Sequence, residues 1–173
     1  MINKYVALVA ISCTALVGCS NTAAQQTNDY RLPLLNQQAE RFCSINSRQV
    51  RVSDLMLSDG ILLQRSNTQI HAARYHRWGG SLEQQLQQSL QRHVTTNDCA
   101  GQLRVTVMDF YGDNDGNAVV SGHWEYQYEQ QSAIEQSFYY KQELSEDGYD
   151  ALVEALNSAW LKALTDIKQQ LSE

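Results

Sequence analysis

Tyr5 to Val17 is an uncharged run, with one positive residue (Lys4) ahead of it and Gly18-Cys19 behind it. A helix needs about 20 apolar residues to cross a hydrocarbon core of roughly 30 Å, so this run is too short for a finished span. Its size and flanks are those of the apolar region of a secretory leader. No later stretch of the sequence approaches spanning length. The remainder of the chain is expected to fold as a water-soluble body. From Cys19 to Glu173 that body has 155 residues, one domain by size and enough to bury a real core.

Leu16-Val17-Gly18-Cys19 resembles the lipobox of bacterial lipoproteins, in which the cysteine thiol is diacylglycerated, the chain is cut before it and the new amino terminus is acylated. The expected organisation is a signal peptide over 1–18, a lipidated flexible tether over 19–29 and a folded domain over 30–173, with Cys19 as the lipid attachment site. The alternative is an ordinary secretory leader cut near Ala23-Ala24. Each buried methylene contributes about 0.8 kcal/mol; one acyl chain anchors only marginally, whereas two or three hold. Ser20 to Asp29 is small, polar and aperiodic, a tether that reaches at most about 33–36 Å. In the resembling lipoproteins an aspartate after the cysteine favours the inner membrane. Ser20 stands there here, which points to the periplasmic face of the outer membrane.

The chain carries a formal −6, and −7 once Lys4 is removed. That argues against nucleic acid, which needs a basic footprint, and against adsorption to anionic lipid, which needs basic clusters. Cys13 leaves with the leader and Cys19 is consumed, so Cys43 and Cys99 remain. In an oxidising periplasm they read as a disulfide closing a loop worth about 4 kcal/mol on the chain-entropy model. Two buried thiols packing as small hydrophobes are the other reading.

Tyr30-Arg31-Leu32-Pro33-Leu34 reads as a short edge strand, where a missing donor is tolerated. Arg41 to Val52 leans to β, broken near Asn46-Ser47, and Ser53 to Ser58 reads as one helical turn or a loop. Ile61 to Arg65 and Gln69 to Tyr75 form a hairpin. Ser81 with Gln84 fits a capping box, and Leu82, Leu86, Leu90 and Val94 predict an amphipathic helix. Leu103, Val105 and Val107 alternate into a strand, and Ala118 to Glu129 and Ile134 to Leu144 complete a meander. Asp147 is the expected N-cap of a last helix running from Tyr149 to Leu171. That helix is longer than a small sheet needs, which leaves its far end for a partner. The expected fold is α+β, an α/β sandwich of one mixed sheet with the two amphipathic helices packed on one face.

Chemistry is sparse. Asp113, Asp115 and Asn117 copy the start of a calcium loop, but the glycine falls early and Trp124 stands where a bidentate glutamate belongs, so a hairpin turn explains them better. His71, His76, His93 and His123 lack metal-ligand spacing. Ser121 lacks a nucleophile elbow and sits in a strand pattern, where Gly122 reads as a site of close strand approach. A hydrolase would need a His and a carboxylate converging on Ser121. Asp109, Glu83, Glu125 and Glu143 read as solvated surface. Trp124, Tyr126 and Tyr128 share one strand face; with helices on the other face they would form an exposed stripe for a partner. No cofactor is implied.

Trp78 followed by Leu82-Glu83-Gln84-Gln85-Leu86, then Val105-Thr106-Val107, Phe110 and Gly112, then Val119-Val120-Ser121-Gly122 with Trp124, and then Asp147-Gly148-Tyr149-Asp150 with Val153, Leu156 and Trp160, form an ordered series behind the lipobox. This series resembles the ABC-type transport auxiliary lipoproteins, with Tyr30-Arg31-Leu32-Pro33 similar to that family's opening strand. Ser81 departs from the family pattern, and Cys43 and Cys99 are not a hallmark of it. The resemblance implies a non-catalytic outer-membrane lipoprotein of an intermembrane phospholipid transport system. The implied partner is a PqiB-like MCE-domain tunnel protein, with a PqiA-like membrane protein beneath, met by a homo-oligomeric ring of this chain. An assembly lipoprotein for another envelope pathway, such as lipopolysaccharide or outer-membrane protein export, is the alternative.

Overall fold

The computed structural model describes residues 25–39, 41, 43–129 and 132–172, with the backbone alone for Asn97 and Asp98. Cys19 and the expected signal peptide lie outside the described residues, as does Phe42. Seven strands form one mixed sheet: β1 (Asn28–Tyr30), β2 (Arg48–Val52), β3 (Gly60–Ser66), β4 (Gln69–Trp78), β5 (Gln102–Gly112), β6 (Asn117–Gln127) and β7 (Ile134–Glu143). Their order is β1-β4-β3-β5-β6-β7, with β2 paired to β5 off this path. Helices α1 (Leu82–His93) and α2 (Tyr149–Gln170) pack on one face, α1 over β2 and α2 over β5, β6 and β7. The chain thus forms the expected α+β sandwich.

The long strand β5 is the spine. Along one side it runs antiparallel to β6. Along the other, Leu103 to Val107 lie parallel to β2, and Gly112 meets Leu63 of β3. Its buried residues switch from odd positions (Leu103, Val105, Val107) to even ones (Phe110, Gly112). A register shift between Val107 and Asp109 inserts the extra residue that this switch requires. Gly122 faces Val107, and a Cβ there would lie 2.1 Å from the Thr106 carbonyl oxygen and 2.8 Å from the Phe138 ring. The close approach read from the sequence is therefore real.

Several local readings are corrected. Pro33 lies outside the strand: it opens a 3₁₀ turn, Pro33–Asn36, where a fixed φ and a missing N–H suit the first helical position. β1 ends at Tyr30 and takes in Asn28 and Asp29, which the expected tether includes. Of the described residues from Arg41 to Val52 only Arg48–Val52 is strand, and Ile45 lies exposed in a turn. Gly148, with φ of +119°, is the N-cap of α2 in place of Asp147, and no side chain caps that end. Ser81 does cap α1, its Oγ accepting from the Gln84 N–H at 3.4 Å. The apolar face of α2 stays buried through Ile167 and Leu171, so its far end is used up in the core.

The aromatic stripe is also corrected. Trp124 is 2% exposed and Tyr126 8%, because these positions face the helices and join the core that also holds Val120, Trp160 and Leu164. Only Tyr128, just past the end of β6, reaches 37%. Tyr139, on the opposite face of β7, is the exposed aromatic at 65%.

Candidate functional site

The N-terminal end of the described domain is locked to both layers. β1 lies parallel to the end of β4, Asn28 to Tyr30 against His76 to Trp78. The Tyr30 hydroxyl is 2.9 Å from His76 Nδ1, and the His76 ring stacks on Tyr149 of α2 at 3.7 Å and 8°. Burial, then the neighbouring Asp150 and Tyr149, push the Tyr30 phenol up. The chain next passes between the helices. The Leu32 N–H donates to Gln85 Oε1 of α1 at 2.9 Å, and the Leu34 N–H donates to Asn157 Oδ1 of α2 at 2.9 Å. Residues 28–34 are therefore fixed to the sheet and to both helices together.

At the other end of α1 stands Arg48, fully buried, with no carboxylate among its described partners. Its Nε donates to the Val94 carbonyl at 2.9 Å. Its two Nη atoms reach the carbonyls of Ser47 (2.8 Å), Thr96 (3.3 Å), Gly101 (3.3 Å) and Ala100 (3.4 Å). The rigid five-donor fork of arginine matches such a ring of acceptors, and a cation there complements the negative end of the helix dipole. Burial lowers its pKa, with Tyr126 opposing. Cys43 and Cys99 are joined by a disulfide across the same loop, with Cα atoms 5.3 Å apart. The edge of β2 is sealed by Gln87, whose Oε1 accepts from the Val50 N–H (2.7 Å) and whose Nε2 donates to the Arg48 carbonyl (2.6 Å).

The residues singled out for chemistry assemble no reacting set. Ser121 Oγ donates to Asp109 Oδ2 at 2.5 Å, with no histidine between them to act as base. Asp109 is thus a hydrogen-bonding partner in the sheet rather than loose surface. Glu125 pairs with Arg104 at 3.6 Å. Asp113 closes its own hairpin, accepting from the N–H groups of Asp115 and Asn117 and pairing with Lys141 at 2.7 Å. Burial would raise its carboxyl, but the bonds from Lys141 and Asn117 prevail and hold it below the usual range. Among the described residues no three His, Cys, Asp or Glu side chains are placed to hold a metal, and no helix is long and apolar enough to cross a membrane. A polar cavity of about 580 Å³ opens between the ends of α1 and α2, lined in part by Arg41, Arg92, His93 and Lys168.

Residues 30–168 match the family model of the ABC-type transport auxiliary lipoprotein component. The chain belongs to that family. The intermembrane transport lipoprotein PqiC of Escherichia coli K12 is 29% identical over 95% of this chain and 96% of its own length, and PqiC of Shigella flexneri matches equally. A crystal structure of a protein of uncharacterised function superposes with a TM-score of 0.74 at 28% identity, covering 85% of this chain and 99% of that one. A Xanthomonas campestris protein shares the fold at a TM-score of 0.63 and 13% identity, covering 72% and 81%.

In this auxiliary lipoprotein the resemblance read from the motif series holds, while the polar residues that organise the two ends escaped it. Arg48 shares its strand face with Val50 and Val52, an inward position that the alternation does reveal. The His76–Tyr149 stack joins residues 73 apart and left no local signal.

Proposed function

We propose that this chain is a non-catalytic subunit of an MCE-type intermembrane phospholipid transport system. Acyl chains on Cys19 hold it at the periplasmic face of the outer membrane. A homo-oligomeric ring of the domain docks the periplasmic end of a PqiB-like MCE tunnel protein, above a PqiA-like inner-membrane protein. The observation that carries this reading is the end-to-end match to PqiC, 95% of this chain against 96% of that one. A locked tether root agrees with a load-bearing adaptor.

Three measurements test it together. Radiolabelled palmitate should label the protein and fail to label Cys19→Ser. Density fractionation should place the wild type with outer membrane. Affinity capture of the anchored protein should recover an MCE protein. Recovery of a lipopolysaccharide or outer-membrane-protein assembly factor instead, with no MCE protein, would overturn the reading.

A further inference from the structure

The net negative charge of the chain conceals a segregation along the sheet. From Gly60 to Leu82 there is no Asp or Glu, while Arg65, Arg74 and Arg77 are present, all exposed, with His71 exposed between them. Asp29 on β1 lies across from Arg77, so Arg74 is the arginine of the stretch of β4 that β1 leaves uncovered, and Arg65 adds its charge from β3, next to the turn into β4. At the other end of the sheet, β7 and the helix beside it present Glu135, Glu143 and Glu154, all exposed. The cations here are Lys141 of β7, paired with Asp113, and Lys162 of α2, which donates to Gln142 Oε1 at 2.8 Å, so the three glutamates still outnumber the one cation not held by a carboxylate.

Both of these ends are open hydrogen-bonding edges. Among the described residues β1 pairs only with His76 to Trp78, leaving Gln69 to Tyr75 of β4 without a neighbour on that side. Among the described residues β7 has no neighbour beyond β6 along all ten residues. By contrast, the side of β2 away from β5 is closed by Gln87. Unpaired edges are templates for another strand, and exposed Tyr139 (65%) and Ile134 (46%) add apolar contact at β7.

We propose that copies of this chain join head to tail, the basic edge of β4 in one copy adding to the acidic edge of β7 in the next. This rests on the proposed homo-oligomeric ring and names its interface. The pairings fix the strand directions: β3 and β7 run with β5, whereas β4 and β6 run against it. Copies held in one orientation around an axis along the strands therefore bring β7 antiparallel to the neighbour's β4, the stronger ladder geometry. The two edges lie at opposite ends of one sheet, so the contact is heterologous and closes a ring when the rotation per copy allows it.

The test is native mass spectrometry of the lipidated protein in detergent, with two variants: Arg65→Glu/Arg74→Glu on the β3–β4 hairpin at the basic edge and Glu135→Lys/Glu143→Lys on the β7 edge. All four side chains are exposed, and circular dichroism melting verifies that each variant folds. Wild type is expected to assemble beyond a dimer. Each variant alone should self-associate about tenfold or more weakly, because both of its edges then carry one sign. Mixing the two variants should restore assemblies containing both. Wild-type assembly that is indifferent to both reversals would overturn this interface while leaving the ring. A monomeric wild type would overturn the ring itself. Assembly that stops at a dimer and is sensitive only to the β7 variant would mean a two-fold β7 contact and would also overturn the proposal.

Discussion

Replacing Arg48 with methionine should cost this domain about 3 kcal/mol. The guanidinium meets five backbone carbonyls, two of them at 2.8 and 2.9 Å, in a site closed to solvent. Hydrogen bonds from a charged donor contribute about 1.5–3 kcal/mol each, so the two short ones alone amount to about 3–6 kcal/mol. Against this, methionine removes a buried charge that is expensive to desolvate and keeps most of the apolar stem in place. The net loss is large beside a total stability of about 5–15 kcal/mol. At about 2–4 °C per kcal/mol for a domain of this size, the melting temperature should fall by about 6–12 °C. Arg48→Lys keeps the charge as a point without the fork, and should lose about half as much. Urea denaturation followed by circular dichroism measures both. A methionine variant within about 1 kcal/mol of wild type would show that the carbonyl ring closes on water as well as on arginine, and the reasoning would fail. The disulfide restrains the same loop, so removing both should cost less than the sum of the single losses.

Further outcomes rest on the same contacts. Gly122→Ala should destabilise by about 3 kcal/mol or more, read from urea midpoints, because the new Cβ meets backbone at 2.1 Å and β6 cannot yield without breaking its pairing with β5. Titration of the unreduced, denatured protein should find no thiol from Cys43 or Cys99, and reduction should lower stability by about 4 kcal/mol. Asp113 has a folded pKa below its unfolded value, so its contribution is complete above the ordinary carboxylate pKa and is lost as pH falls through the depressed value. Asp113→Asn should therefore be less stable than wild type near neutrality, with the gap closing in acid. The Tyr140 hydroxyl donates to Asp166, and burial together with that bond pushes its phenol up to about 12. Its contribution is whole below the ordinary tyrosine pKa and is lost as pH rises through about 12, so Asp166→Asn should advance one phenolate in an ultraviolet titration.

The elements that were legible in the sequence are those whose period is their own. The leucines of α1 recur every four residues and mark its buried face without help from any neighbour. β5 and β6 alternate for the same reason. The short pieces were not legible. Pro33 beside an alternating run looks the same whether the strand continues or stops, and the Leu32 and Leu34 N–H groups were claimed by Gln85 and Asn157, which lie 53 and 123 residues away. The aromatic stripe of β6 showed its period but not its side: alternation says which residues share a face, and only the placement of α2 says which face is covered.

Residue order alone determined the lipobox-like leader, the two amphipathic helices, the β-rich character and the family resemblance, because each is written in neighbours within a few residues or in a linear series of motifs. Tertiary structure alone decided that Arg48 is enclosed by carbonyls, that Gln87 closes one sheet edge while β4 and β7 stay open among the described residues, and that arginines gather at one end of the sheet and glutamates at the other. Net charge is a sum and holds no positions. Strand order, which places Arg74 far from Glu135, comes from non-local pairing that no short window of the chain can express.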